Sequence, residues 1–260
     1  MRIFPAAQLR VNQEKIEQIK HTIDTTLRLI TFSRKHLADD LLDAYLTKTT
    51  SLKDLLSIKN AQMEAENEEE TELYAQLLKT SLDFITNEIL NDVQFSKEVQ
   101  LFQLFRLISP DAHAKHPNKY RQNDVQIGRY LCPEPKHIPS LVADLFYQMD
   151  GIENPIIRAI YFHHELIRVH PFVDGNGRTT RMAKNWLLMY KMCPPIFISD
   201  TSEKREYVDT LEKSFLYLNK GNYEWNVYLE LFFEQELDRL NKNATDVYHA
   251  VSSIGNLREN

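Results

Sequence analysis

The sequence predicts an all-α protein interrupted by a single short β-hairpin. Three observations lead there: apolar residues recur at helical spacing along most of the 260 residues, glycine supplies only six of them, and one segment alone carries a strand signal. The first stripe is Ile16, Ile19, Ile23, Leu27 and Ile30, and Leu73, Leu77, Phe84 and Ile85 contribute to a second. Val99, Phe102, Phe105 and Leu107 contribute to a third. Residues 109–124, rich in Pro, His, Asn and Asp, read as a loop, and Asp124 to Leu131 is the strand-pair candidate. After Pro155 a helix carries Ile156, Ile157, Ile160, His163, Leu166 and Ile167; a second carries Met182, Trp186, Leu187, Met189 and Tyr190. Beyond Pro194-Pro195, helices are expected near 203–219 and 224–240, parted around Gly221, with 241–260 as a short helix and a loose end. No internal repeat or low-complexity linker divides the chain.

Composition narrows the classes of function. A hydrophobic content of 43% is ample for a core, and a formal net charge of −6 argues against a general nucleic-acid or anionic-membrane surface. No stretch of 18 uncharged apolar residues occurs, and the start, with Pro5, has no apolar run of signal length. The expected location is therefore the cytoplasm. Cys132 and Cys193 lack ligand-type neighbours at short spacing and support neither a disulfide framework nor a metal site.

The chemistry concentrates in His170-Pro171-Phe172-Val173-Asp174-Gly175-Asn176-Gly177-Arg178-Thr179-Thr180-Arg181, a loop feeding a helix. Gly175 and Gly177 let backbone N–H groups turn toward a ligand, and the helix start adds its positive dipole end, which suits an anion. Arg178 and Arg181, about one turn apart, can fork onto phosphate oxygens. Asp174 offers a hard carboxylate suited to magnesium, and His170 titrates near neutrality and can accept a hydroxyl proton. Rival motifs fit less well. Thr180 stands where a dinucleotide fingerprint needs its third glycine, no Gly-Lys-Ser/Thr ending is present, and Arg168 occupies the second histidine position of a zinc-protease helix.

This string resembles, without departure, the His-Pro-Phe-x-Asp-Gly-Asn-Gly-Arg-x-x-Arg motif of the Fic family, helical enzymes that transfer AMP from ATP to a side-chain hydroxyl of a target protein. Around it, Tyr120-Arg121 and Val125-Gln126-Ile127-Gly128 resemble the approach to the family's flap, Pro133-Glu134-Pro135 and Ile138-Pro139 its exit, and His163 stands where the family usually has a histidine. The related Doc kinases carry Ala and Lys where this chain has Gly175 and Gly177, which favours AMP over phosphate transfer. The resemblance implies a Fic-type helical core over 97–238 with a β-hairpin flap at Ile127 and Gly128, preceded by a helical region over 1–96 and followed by a tail over 239–260.

By the same resemblance His170 would be the general base, Asp174 the magnesium ligand, Gly175, Asn176 and Gly177 the anion hole, and Arg178 and Arg181 the phosphate holders. ATP and Mg2+ are the implied substrate and cofactor, and a protein with an accessible hydroxyl the implied partner; assembly of the chain with itself is compatible with the sequence. Tyr207 lies in a stretch resembling one where paired tyrosines line the adenine site, with Val208 in place of the second. Many Fic proteins also carry an inhibitory Ser/Thr-x-x-x-Glu-Gly/Asn motif whose Glu pairs with the second motif arginine. Gln62 to Asn67 is the best match, with Glu66 as inhibitory residue and Gln62 in the Ser/Thr position; Glu259-Asn260, with Gly255 at that position, matches less well. Two alternatives stand beside AMP transfer: removal of AMP from a modified protein, and a non-enzymatic, nucleotide-responsive interaction module.

Overall fold

The computed structural model describes residues 1–33, 35–221 and 223–258, excepting the side chains at 35, 36 and 255–258. Helix α1 (Gln13–Phe32) starts at Asn12, whose side chain accepts the Lys15 N–H, and buries Ile16 and Ile19. Helices α2 (Lys35–Glu64) and α3 (Glu68–Leu90) pack against each other, and the turn between them is fixed by Asn67, whose side chain accepts the Glu70 N–H. Helix α4 (Glu98–Ile108) follows. It buries Leu101, Leu104, Phe105 and Ile108, while Val99 is 58% exposed, so the apolar face is rotated from the predicted stripe. The predicted loop over 109–124 contains one more helix, α5 (Pro110–Lys115), which Pro110 initiates at a position where no N–H is needed.

The strand prediction is met by β1 (Gln126–Ile127) and β2 (Tyr130–Leu131), antiparallel, with Gln126 opposite Leu131 and Ile127 opposite Tyr130. Helix α6 (Ile138–Asp150) leads to the central pair α7 (Pro155–Val169) and α8 (Asn176–Met189). Both are buried nearly all round, which marks them as the middle of the molecule. Trp186 on α8 is fully buried, donates its indole N–H to the Val93 carbonyl at 3.2 Å, and meets Phe84 edge-on at 5.6 Å.

Helix α9 (Thr201–Asn219) matches its predicted span. Helix α10 (Val227–Arg258) does not stop near residue 240. Its second half, expected as a short separate helix, continues because Leu240, Ala244, Val247 and Val251 keep one buried face where α10 packs on α1 and α2. Glu259 and Asn260 lie outside the described residues. No described helix is long and apolar enough to cross a membrane.

Candidate active site

The motif is held by groups that its composition does not advertise. Phe172 is buried and stacks on Phe105 at 4.0 Å, anchoring the loop to α4. Asn176 closes the loop on itself: its side chain accepts the Phe172 N–H and donates to the Phe172 carbonyl, both at 2.8 Å. The anion-hole role expected for Asn176 is therefore left to its backbone, since its amide is already committed. Gly175 is left-handed at φ 68°, and a β-carbon there would collide with the Ser109 hydroxyl. Helix α8 starts at the next residue and points its unpaired N–H groups into the loop.

His170 ends α7 in a left-handed conformation, φ 51° and ψ 60°. The buried Arg121 guanidinium holds it there, donating to the carbonyls of His170, Asn123 and Pro133 at 2.7 Å each, while the Arg121 N–H donates to the Pro171 carbonyl at 2.9 Å. One side chain thus ties the approach to the flap, its exit, and the motif histidine together. Burial, helped by the Arg121 charge, pushes the His170 imidazole down to about 4, against the opposing pull of the Ile167 carbonyl, Glu64 and Asp174. The ring is neutral at physiological pH, as a proton acceptor must be.

Arg178 and Arg181 diverge rather than forking onto one point. Arg178 reaches Asp174 at 3.1 Å and lies over the Tyr74 ring of α3, 3.8 Å from its centroid. Arg181 donates through Nε to the Asn60 side chain and through Nη2 to Glu64, both at 2.7 Å. A β-carbon at Gly177 would collide with that same Glu64 carboxylate, so the chain's own anion lies on the N-terminus of α8. Burial opposes ionisation of Glu64, but Arg181, Arg178 and Lys204 overcome it and hold the carboxyl below its usual range.

The contact expected of Glu66 is thus made by Glu64. Asn67 and Glu70 explain the difference: Glu70 accepts the Glu66 N–H at 2.9 Å while Asn67 caps α3, a reciprocal arrangement that ends α2 at Glu64 and turns Glu66 into solvent. Asn67, Glu70 and their three-residue spacing were the available sequence signal.

Tyr207 lies in the interior behind the motif, with a side-chain hydrogen bond to Arg181. It is 3% exposed and shares a hydrogen bond of 2.8 Å with His163, next to a buried cluster in which Glu236 pairs with Lys184 at 2.5 Å and Arg239 at 2.7 Å. The neighbouring Val208 is 46% exposed. At the flap, Ile127 packs on the core, and the turn at Gly128 is fastened to α9 where Glu212 accepts the Arg129 N–H at 2.6 Å. Asp174 stays open, its side chain 63% exposed. Among the described residues no group of three or more His, Cys, Asp or Glu could hold a metal by itself.

A helical bundle with a small hairpin beside a glycine loop at a helix start is the architecture of a Fic-type fold. A Bacteroides thetaiotaomicron structure of a Fic domain containing signaling protein aligns with a TM-score of 0.71 at 18% identity, covering 92% of this chain and 97% of that one. IbpAFic2 in complex with adenylylated Cdc42 aligns at 0.54 and 19% identity, covering 93% of this chain and 74% of that one. Residues 90–188, just over a third of the chain, match the Fic/DOC family model. A protein adenylyltransferase Fic from Culex quinquefasciatus is 27% identical over 139 residues, 52% of this chain and 28% of the relative. The chain therefore spans less than a third of the length of that curated relative.

Proposed function

We propose that this protein transfers AMP from ATP to a Ser, Thr or Tyr hydroxyl of a target protein, and that Glu64 restrains it. The observation that carries the reading is the Glu64 carboxylate lying on Gly177 and Arg181, at the end of a helix built to receive an anion. In the reaction the target hydroxyl attacks the α-phosphorus, a new P–O bond forms, the bond to the bridging oxygen breaks, and pyrophosphate leaves. His170, neutral at physiological pH, takes the hydroxyl proton. The backbone N–H groups at the start of α8 and the arginines hold the phosphate chain in line. Asp174 is the residue that would hold Mg2+. One open carboxylate suits an ion that completes its shell with phosphate oxygens and water, and that supplies charge neutralisation on the phosphates when bound.

Glu64 restrains this reaction by keeping Arg181 and the Gly177 position from the phosphates, so ATP would bind misaligned. A displacement of about 1 Å can cost on the order of 100-fold in rate. The ion pair is suited to release: Arg181 is 3% exposed but Glu64 retains 33%. The same placement favours a second reading, removal of AMP, because a carboxylate over the anion site could orient water.

The test is Glu64→Gly with labelled ATP and magnesium, followed by mass spectrometry of the chain itself and of treated lysate. Self-modification should rise by about tenfold or more over the wild type. Unchanged transfer in Glu64→Gly, together with activation by Glu66→Gly, would overturn the assignment of Glu64. Release of AMP from a pre-modified protein by the wild type, lost in Glu64→Gly, would establish the second reading.

A further inference from the structure

Away from the motif, α1, α2, α3, the end of α8 and α10 enclose a cavity of about 310 Å3. That is near the lower end of small-molecule pockets, roughly 300–1,000 Å3. Its walls are mainly apolar, with Ile23, Ile89, Met189, Pro195, Ala244 and Val247 among them, and exposed Leu46, Leu90 and Met192 continue the apolar surface around it. Most of these residues fall outside the segment that matches the family model, so the cavity is built largely from what surrounds that segment.

Its polar groups are few and placed apart. Lys53 of α2 has Thr86 as a hydrogen-bond partner at 3.5 Å and pairs with no carboxylate among the described residues. Tyr45, two turns earlier on the same face of α2, also lines the cavity, near Cys193. An apolar chamber with one uncompensated ammonium and a neighbouring hydroxyl is complementary to an amphiphile whose single charge is negative. The size limits the chain to medium length.

We propose that this cavity binds a medium-chain aliphatic carboxylate, its tail between α2, α8 and α10 and its carboxylate on Lys53 and Thr86. The site bears on the motif through α2. Lys53 and Glu64 are separated by about 16 Å along one continuous helix, given a rise of roughly 1.5 Å per residue. A ligand that shifts the Lys53 portion of α2 away from α8 also shifts the end that carries Glu64. This consequence, unlike the binding itself, rests on the reading of Glu64 as a restraint.

Calorimetry on the full chain without nucleotide tests the binding, with decanoate as probe and decan-1-ol as its uncharged counterpart. Decanoate should bind saturably, one per chain. Lys53→Met should weaken decanoate by about tenfold, the worth of one charge-assisted contact, and leave decan-1-ol unchanged. Thr49→Phe, which places a ring in the chamber from a half-buried position, should abolish both while the chain keeps its helical circular dichroism. No saturable binding of decanoate, equal weakening of both probes by Lys53→Met, or undiminished binding in a folded Thr49→Phe would overturn the site. Saturating decanoate should then change self-modification in the wild type and leave Glu64→Gly unaffected; an equal change in both would overturn the link through α2, and calorimetry would still stand on its own.

Discussion

His164, Glu165 and Arg168 on α7 and His170, Asp174 and Arg178 around the motif are the same chemical types, only a few residues apart, yet the two sets do opposite work. On α7, Glu165 and Arg168 are wholly buried and paired; Glu165 also receives His164 and the Phe4 N–H, and Arg168 donates to the Arg2 carbonyl. Burial opposes the Glu165 charge, but Arg168 and His164 overcome it and hold the carboxyl down at about 2. This set fastens the N-terminal segment to the centre of the bundle. At the motif, Asp174 and Glu64, which reaches the motif from α2, are each solvent-accessible on one side, and the arginines they contact have other polar partners. Charges whose counter-charge is sealed in the interior with them are structural, whereas charges left partly open to solvent can exchange an internal partner for a ligand.

The sharpest break between the two regions concerns the histidines. In a Glu64→Gly background, His170→Ala should lower AMP transfer by about 100- to 10,000-fold, read with labelled ATP, while calorimetric ATP binding is retained. A transfer rate equal to the parent variant would remove His170 from the mechanism. Next in size is Glu165→Ala, which leaves Arg168 buried without its counter-charge and should cost about 3–5 kcal/mol in urea unfolding. Asp174→Ala should instead leave unfolding close to wild type and abolish the magnesium dependence of transfer; full recovery at raised magnesium would show that another group holds the ion.

The pH dependence gives a smaller effect with a definite sign. Only neutral His170 can accept a proton, and its folded value lies down at about 4, so kcat/KM of Glu64→Gly should be flat through neutral pH and decline only as acid approaches that value. A limb near the ordinary histidine value of about 6.5 would mean that burial does not depress the ring in the free protein, the state that kcat/KM reports. The smallest effect is the stability change in Glu64→Gly itself. A pair with one partner one-third exposed should contribute no more than about 1 kcal/mol, so unfolding should barely move although transfer does.

Legibility in the sequence followed the range of the interaction involved. The helices around the motif and the hairpin were readable because periodicity and turn chemistry are local, and His170 to Arg181 was readable because its residue types are a compact chemical statement. The buried face of α4 leaves out Val99, which is as apolar as the residues that face inward, so only the neighbours choose between them. Arg121 could be noticed beside Tyr120, but its hold on His170, Asn123 and Pro133 depends on bringing residues up to 49 positions apart around one guanidinium.

Spacing and side-chain chemistry within a few residues suffice for a helical protein with a short hairpin and a glycine-containing loop at the start of a helix. Only the tertiary structure decided which glutamate meets Arg181, and that Tyr207 serves the interior beside His163. The physical reason is the same for both. Ending α2 at Glu64 takes Glu66 off the helix that faces Arg181, and packing α9 against α7 turns Tyr207 toward His163; both depend on contacts between residues far apart in the chain.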